Sequence, residues 1–370
     1  MGRQNIRYRF CLFYKLSGIL EKRLKVFDCI QSGERIDMNI HITNLHNMGG
    51  TATLAQEGVV QIAKNLGFKE MPLGRRLFHE DYWKMISRHL DGTIASLYFG
   101  DVVIFQYPSW NGPDYDKVFV DKIKMYSSTR LIIFVHDFQK LMFDSEPHIL
   151  ETEVKIFNKA DVLILPSEKM YQYLVENGLK KNIPVYYQKI WEVPGFPQFT
   201  DHSNRKRMYF TGNYDRFPFL KDYHGKTVIE QFDRHKPGRE NDASFCARGF
   251  LKPIELMNEL SKGGFGLVWC DKEYFDRYYC LNQPHKLGFN LCAGIPVITR
   301  QGGVHDEFIR DNRLGYVVDS LEQADELVQN TSDDLYAEMV QNIKKYQTIM
   351  LQGLYTKKLL TDAVICAMEI

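Results

Sequence analysis

Residues 282–294 place a lysine where a helix is predicted to begin. Pro284 suits the first turn of a helix, where its missing N–H costs no hydrogen bond, and Asn282 suits the N-cap. His285 and Lys286 then fall in the first turn, where the positive end of the helix dipole disfavours a cation. An anion between the ammonium and the free N–H groups would remove this conflict. The pattern therefore predicts a diphosphate site, with a solvated lysine as the simpler alternative.

A second candidate cation, Arg216, follows a predicted strand that ends in Thr-Gly-Asn at 211–213. The guanidinium group is planar and permanently charged, and it bonds phosphate oxygens in pairs. We therefore interpret Arg216 as a diphosphate clamp that faces a cleft. An arginine exposed on the surface is the alternative.

A glycine-bearing turn at 44–56 follows the first predicted strand. Gly49 and Gly50 allow a ligand to approach the backbone, and the helix that begins after them offers free N–H groups to a phosphate. The turn lacks the GxGxxG pattern and an acidic residue about 20 positions further on, which argues against a nucleotide-sugar epimerase or dehydrogenase. A plain turn between a strand and a helix is the alternative.

Two loops that follow strands of the first domain, 106–116 and 135–148, could handle an acceptor. The rings of Tyr107 and Trp110 can stack on sugar faces. Polar groups that can bond hydroxyls lie in the same loop, at Asn111, Asp114 and Asp116. Candidate general bases lie in the second loop, at His136, Asp137, Asp144 and Glu146, and Asp137 is our choice. A single base would suit an inverting transfer. A loop acid is more often a turn former than a base, which is the alternative for each of these residues. Inversion and retention both stay open.

These segments belong to an alternation of apolar strands and helices, which is typical of parallel sheets covered on both faces. Predicted strands span 38–43, 100–108, 129–137, 160–167, 206–213, 227–233, 243–250, 264–270, 295–299 and 314–318. Predicted helices span 53–66, 117–127, 168–178, 253–263, 284–294, 304–312, 321–330, 332–350 and 354–368. A proline-containing linker at 190–205 separates two doubly wound α/β domains. Because ligands of such sheets bind beyond the carboxyl ends of the strands, we expect the site in the cleft between the domains.

Composition excludes several classes of protein. The chain has 370 residues, 44% of them hydrophobic, and a net charge of +1, which favours two packed domains and argues against nucleic acid as a partner. The seven cysteines have no zinc-like spacing, so we expect reduced thiols and a cytoplasmic location. We expect no transmembrane segment and no signal peptide. Residues 1–37 are predicted to be an upstream extension, or alternatively a helix that docks on a partner subunit or an anionic membrane.

Three segments together resemble a known family: HITNLHNMGG at 41–50, FTGNYDR at 210–216 and NQPHKLGFNLCAGIPVI at 282–298. With two Rossmann-like domains, they resemble GT-B glycosyltransferases. They are most similar to the glucosyltransferases that extend O-linked GlcNAc on serine-rich-repeat adhesins of streptococci and lactobacilli. The resemblance covers roughly 38–370.

This resemblance implies a UDP-sugar site in the cleft, built mostly by the second domain. It implies UDP contacts from the glycine turn, the arginine and the lysine helix, at Gly50, Thr51, Arg216, Phe250, Asn282, Gln283, Pro284, His285, Lys286 and Leu287. Phe250 would lie against the uracil, while Lys286 and Arg216 would hold the diphosphate. It also implies a homo-oligomer, expected to be a tetramer. No DxD motif stands in a metal-binding position, so we expect cations and a helix dipole to stabilise the leaving UDP without a metal ion or other cofactor.

The expected domains are 38–195 for the acceptor and 206–350 for the nucleotide-sugar, with a C-terminal helix in 351–370 that returns to the first domain. The favoured function is transfer of a sugar, most simply glucose, from a UDP-sugar to O-linked GlcNAc on a serine-rich-repeat glycoprotein. UDP-GlcNAc and UDP-galactofuranose are alternative donors. A non-catalytic GT-B-like partner subunit is the alternative from a different class, and it would not need both cations on one nucleotide.

Overall fold

The fold was taken from a computed structural model that describes residues 38–75, 83–143, 147–195, 202–234, 239 and 242–370. The N-terminal extension predicted at 1–37 lies outside these residues, as do Asp144, Glu146 and part of the predicted linker. No helix within the described ranges is both long enough and apolar enough to cross a membrane.

The first lobe is built on a parallel sheet with the strand order β2-β1-β3-β4-β5-β6. Its strands are β1 (Ile40–His46), β2 (Lys69–Gly74), β3 (Val102–Tyr107), β4 (Arg130–Val135), β5 (Val162–Leu165) and β6 (Val185–Tyr187). Its helices are α1 (Thr51–Lys64), α2 (Trp83–Thr93), α3 (Pro113–Ile123), α4 (Gln139–Phe143), α5 (Pro147–Phe157) and α6 (Glu168–Glu176). Alternate residues of β3 enter apolar clusters on opposite faces, Val103 and Phe105 on one and Val102 and Ile104 on the other. Helices therefore cover both faces of this sheet.

The second lobe repeats this architecture with the order β12-β11-β10-β7-β8-β9. Its strands are β7 (Arg207–Thr211), β8 (Val228–Phe232), β9 (Phe245–Ala247), β10 (Phe265–Val268), β11 (Val297–Arg300) and β12 (Gly315–Val318). Its helical segments are α7 (Phe219–Asp222), α8 (Pro253–Leu260), α9 (Lys272–Tyr274), a π-helical turn (Phe275–Tyr279), α10 (His285–Cys292), α11 (Asp306–Asp311), α12 (Leu321–Asn330) and α13 (Asp333–Leu351). The strand order reverses between β7 and β10. The loops after these two strands therefore frame the crevice where such sheets bind ligands.

The last helix, α14 (Leu354–Glu369), follows the second lobe in the chain but packs on the first. Leu360 and Ala363 are fully buried in the same apolar cluster as Ile42, Ile104 and Ile132 of the first sheet. The backbone N–H groups of its first turn, at Tyr355 and Thr356, donate to the Glu192 carboxylate at 3.0 and 2.6 Å. The first lobe is thus completed by both ends of the described chain.

Several predicted helices begin at other residues than the sequence indicated, and two of these, α3 and α10, adjoin the cleft. Helix α3 spans Pro113–Ile123 rather than 117–127, because Gly112 (φ 98°) reverses the chain and Pro113 occupies the first turn. Helix α10 begins at His285 with Pro284 as its N-cap and with no capping side chain. The prediction that Asn282 is the N-cap is therefore wrong.

Candidate active site

Arg216 lies in the loop after β7, on one side of the crevice in the second lobe. The Asn213 side chain accepts hydrogen bonds from the backbone N–H groups of Asp215 and Arg216, both at 3.0 Å, and fixes the turn that carries the guanidinium. Arg216 donates to the Tyr274 hydroxyl at 3.0 Å and lies 5.7 Å from the centre of the Phe217 ring. No carboxylate among the described residues forms an ion pair with it. Its charge is available to an anion.

Lys286 lies on the other side of this crevice, in the first turn of α10. Its Nζ is 4.8 Å from the centre of the Phe217 ring and 5.4 Å from that of Phe210. Phe217 is therefore shared by both cations. Burial, and then repulsion by Arg216, lowers the pKa of Lys286 to about 8. The first turn of α10 carries no acidic residue, and within the described part of the chain Lys286 has no carboxylate partner.

Asp137 belongs to the first lobe and lies near Arg216, directly after β4. Its Oδ1 accepts a hydrogen bond from the Tyr278 hydroxyl of the second lobe at 2.7 Å. Burial raises its pKa to about 6, although the bond from Tyr278 and the charge of Arg216 oppose this change. The carboxylate is therefore largely ionised at neutral pH and close enough to Arg216 to feel its charge.

Two histidines, His136 and His285, lie on either side of Trp191 where the lobes meet. The ring centre of His136 is 4.7 Å from that of Trp191, which is 6.2 Å from that of His285. Burial lowers the pKa of His136 to about 3, with a smaller contribution from His285, and burial lowers the pKa of His285 to about 4, with a smaller contribution from Lys286. Both rings are neutral at physiological pH. Both ring nitrogens of His136 are buried, and neither has a hydrogen-bond partner among the described atoms.

The glycine turn after β1 leaves a helix start open. Gly50 has φ 93°, and α1 begins at the exposed Thr51 with no capping side chain and no acidic residue in its first turn. A Cβ atom added at Gly49 or Gly50 would meet nothing within 4 Å. The first N–H groups of α1 are thus accessible to an anion or a hydroxyl oxygen.

Comparison with known proteins identifies the class to which this geometry belongs. Two sequence profiles match, "Glucosyltransferase 3-like, N-terminal domain" at 39–190 and "Glucosyltransferase 3-like, C-terminal domain" at 208–363. Glucosyltransferase 3 of Streptococcus gordonii is 38% identical over 333 residues, which cover 88% of this chain and 98% of that protein. Glucosyltransferase 3 of Streptococcus parasanguinis is 34% identical over 332 residues, with the same coverage of 88% and 98%. The chain belongs to the glucosyltransferase 3-like family.

The fold of this chain is similar to that of a protein whose structure has been solved. The crystal structure of Anabaena Alr3699/HepE in complex with UDP-glucose superimposes with a TM-score of 0.60 at 12% sequence identity, over 89% of this chain and 99% of that one. The GT-B fold predicted from the sequence is confirmed. Family membership also confirms that the protein is a hexosyltransferase.

Several predicted acceptor residues of this glucosyltransferase 3-like protein are not available to a sugar. Tyr107 is fully buried and donates its hydroxyl to Glu153 at 2.7 Å, so the prediction that its ring stacks on an acceptor is wrong. Asp116 is also fully buried and bonds Ser109, and burial raises its pKa to about 8. Asn111 is buried, and its amide donates to the Gly74 carbonyl at 3.3 Å.

Two other residues of that loop remain accessible in part. Trp110 has φ 60°, is only partly buried, and packs edge-on against Phe143 with ring centres 6.2 Å apart. Asp114 is exposed in the first turn of α3. Of the two rings predicted to stack on an acceptor, only Trp110 is partly exposed.

Three further residues that were predicted to contact UDP differ in how accessible they are. Leu287 has 1% of its surface exposed and is part of the core of the second lobe, so only its backbone could touch a nucleotide. The Gln283 carbonyl accepts a bond from Trp191 Nε1 at 2.8 Å, while its side-chain Oε1 is buried without a partner among the described residues. Phe250 is 55% exposed, and the Arg234 guanidinium lies 4.8 Å from the centre of its ring.

Sequence reasoning missed the aromatic turn that joins the lobes. Tyr274 and Tyr278, at the start and within the π-helical turn, hold Arg216 and Asp137 respectively. The only signal was the aromatic run Tyr-Phe-Asp-Arg-Tyr-Tyr at 274–279, whose i,i+4 spacing indicates a helix but does not distinguish a π-helical turn. Among the described residues, no group of three or more His, Cys, Asp or Glu side chains is placed to bind a metal ion.

Proposed function

We propose that this enzyme transfers glucose from UDP-glucose to O-linked GlcNAc on a serine-rich-repeat glycoprotein. The observation that carries the proposal is the pair of cations, Lys286 and Arg216, which share the Phe217 ring at an uncapped helix start and have no carboxylate partner within the described chain. The exposed Arg216 and the half-buried Lys286 repel each other, and an anion between them would relieve this repulsion. The names of the two streptococcal relatives and the UDP-glucose bound to Alr3699/HepE support glucose and UDP as the parts of the donor.

The chemistry that follows is the cleavage of one bond and the formation of another. The bond between the anomeric carbon and the β-phosphate oxygen breaks, and negative charge develops on the departing UDP. Lys286, Arg216 and the N–H groups at the start of α10 would stabilise this charge, so we propose that no metal ion is needed. The acceptor hydroxyl attacks the anomeric carbon, and its proton passes to a base, for which we propose Asp137.

Asp137 suits the role of a base for two reasons. Its pKa of about 6 keeps it ionised at neutral pH yet close enough to neutrality to take a proton. Tyr278 bonds Oδ1, and no residue in the described ranges is found bonded to Oδ2. The second oxygen is therefore free for an acceptor hydroxyl. A base of this kind favours inversion at the anomeric carbon.

The acceptor, the oligomeric state and the location complete the proposal. The GlcNAc-bearing repeat protein, the homotetramer and the cytoplasmic location are supported by the resemblance of the motifs at 41–50, 210–216 and 282–298, and they stay predictions. UDP-GlcNAc and UDP-galactofuranose remain the alternative donors, because sugars that differ in a few hydroxyls can be exchanged by one changed contact.

One experiment tests the proposal and its alternatives together. The protein is incubated with UDP-glucose, UDP-GlcNAc or UDP-galactofuranose and a peptide that bears O-linked GlcNAc, and the product is identified by its mass. We expect a gain of one hexose from UDP-glucose alone. A matched peptide without GlcNAc should remain unmodified. No transfer from any donor, together with no heat of UDP binding by calorimetry, would identify a non-catalytic subunit.

A further inference from the structure

The hydroxyl of Tyr278 lies where the two lobes meet. It donates to Asp137 Oδ1 at 2.7 Å, and it accepts from Asn282 Nδ2 at 2.6 Å and from the Phe138 backbone N–H at 3.4 Å. Tyr278 has 2% of its surface exposed, so water does not compete for these bonds. A hydroxyl has one hydrogen to donate and two lone pairs that accept, so the three bonds use its full capacity.

The direction of these bonds fixes the orientation of the Asn282 amide. An ionised carboxylate can only accept, so the Tyr278 hydrogen points to Asp137, and the Asn282 atom beside the hydroxyl oxygen must be the NH₂ group. The Asn282 Oδ1 atom is then turned away from Tyr278. It is buried and has no hydrogen-bond partner in the described part of the protein. A donor group of the bound nucleotide can satisfy it.

The π-helical turn gives Tyr278 this position. The Cys280 N–H bonds the Phe275 carbonyl at 2.9 Å, which is the wide spacing of a π-helix, and such turns are frequent at functional sites. The Asn282 N–H bonds the Tyr278 carbonyl at 3.2 Å, so backbone and side chain tie the two residues together. The neighbouring Arg277 donates to the Leu141 carbonyl at 3.0 Å and holds the segment that follows Asp137.

We propose that Tyr278 is a positioning residue that links Asn282, which is predicted to contact UDP, to Asp137 across the cleft. Its hydroxyl holds one carboxylate oxygen, so that the other faces the acceptor hydroxyl while UDP-glucose is bound to the second lobe. The inference rests on the proposed function, because it assigns the proton of the acceptor to Asp137.

Several titratable and charged groups lie close enough to Asp137 to affect its pKa. Tyr274, Tyr278 and Tyr279 from the π-helical turn and its start face it, together with Arg216 from the loop after β7. Burial raises the pKa of Asp137 to about 6, while the Tyr278 bond and the Arg216 charge lower it. Removing the Tyr278 hydroxyl therefore raises this pKa further. The acid limb of the rate profile should move to higher pH.

The test is Tyr278→Phe, which keeps the ring and removes only the hydroxyl. With UDP-glucose and the GlcNAc-bearing peptide, we expect kcat to fall roughly tenfold to hundredfold, as loss of a buried hydrogen bond to a charged group would cause. KM for UDP-glucose should change little, and the acid limb of kcat should shift upward in pH. An unchanged kcat, or a reduced kcat whose acid limb has not moved, would overturn the proposal.

Two further variants make the outcome decisive. Tyr336→Phe is the matched control, because this buried hydroxyl bonds both the N–H and the carbonyl of Gly264 at 2.9 and 3.0 Å, outside the cleft. It should lower thermal stability and leave the acid limb in place. If Tyr278→Phe does not fold, Asn282→Ala should move the limb in the same direction, and an unmoved limb would count against the link. Wild-type protein that transfers no glucose would contradict the proposed function instead.

Discussion

Lys286 and Asp137 are expected to set the pH range of activity. Burial and the charge of Arg216 lower the pKa of Lys286 to about 8, whereas burial raises that of Asp137 to about 6. As the pH falls through 6, Asp137 gains a proton and stops acting as a base; as it rises through 8, Lys286 loses the charge that attracts diphosphate. Because kcat/KM reports groups of the free enzyme, its profile for UDP-glucose should be a bell between these values.

The variant Lys286→Met tests the alkaline side of this bell. It keeps the apolar stem but removes the ammonium, so we expect kcat/KM near neutral pH to fall roughly tenfold to hundredfold. The decline above pH 8 should also disappear, because the group that titrates there is gone. Lys344→Met, at an exposed lysine of α13, is the control and should retain the full bell. A Lys286→Met enzyme that still loses activity above pH 8 would contradict the assignment.

The sequence draws attention to Lys286 and Arg216, but it does not indicate the tyrosines of the π-helical turn that position the site. Lys286 could be found because a cation in the first turn of a helix conflicts with the helix dipole. Tyr278 could not, because its role depends on a π-helical turn that has no period of its own in the sequence. The prediction for Tyr107 was wrong because β3 is buried on both faces. Its last residue, Tyr107, points into the core, where its hydroxyl bonds Glu153 of α5, a contact that the local sequence does not indicate.

Helix α10 is positioned by its contact with the chain that links the lobes. Gly288 lies in this helix, and a Cβ atom added there would be 1.9 Å from the Trp191 carbonyl oxygen. Trp191 also donates through Nε1 to the Gln283 carbonyl at 2.8 Å, just before the helix. The backbone of the linker therefore determines how far the start of α10, with Lys286, extends toward the crevice.

Gly288→Ala should push α10 away from the linker. We expect a loss of about 1–3 kcal/mol of unfolding free energy, as for other overpacked interiors, together with weaker UDP binding by calorimetry. Gly58→Ala is a matched control, since its Cβ would lie 3.9 Å from Pro194 Cδ, an ordinary contact. There alanine should be neutral or stabilise α1 by up to about 1 kcal/mol, as its helix propensity allows. Equal effects at the two glycines would show that the close approach of Trp191 does not matter.

Elements were predictable where their pattern was local. The alternation of apolar strands and helices indicated both sheets, and the helix predicted at 284–294 corresponds to α10. Strand β2 was missed because it contains Pro72 and two charged residues, which suit an edge strand but read as a loop. Asn282 was wrongly predicted as the N-cap of α10, because it lies two residues before the observed N-cap, Pro284, and its side chain donates to Tyr278 instead.

At the scale of the whole molecule, the chain crosses between the lobes twice, and the crossings are tied together. Glu192, on the first crossing, accepts both N–H groups at the start of α14, on the second. The Gly195 N–H also bonds the Leu351 carbonyl at 3.3 Å. Because α14 fills the core of the first lobe, that lobe is built from two separate stretches of sequence, and the second lobe lies between them. We infer that residues 40–370 unfold as one cooperative unit.

Leu360→Ala measures this dependence directly. Leu360 is fully buried between α14 and the first sheet, so its truncation should cost about 2–5 kcal/mol and lower the midpoint of a single calorimetric transition. Ile365→Ala, on the outer side of the same helix with 51% of its surface exposed, should change the free energy by no more than about 0.5 kcal/mol. Two resolved transitions, of which only one shifts in Leu360→Ala, would show that the second lobe folds without the helix that joins it to the first. If a single transition shifts as a whole, the two lobes unfold together. A substitution far from the cleft then reduces the folded fraction of both lobes, and with them both sides of the UDP-glucose site.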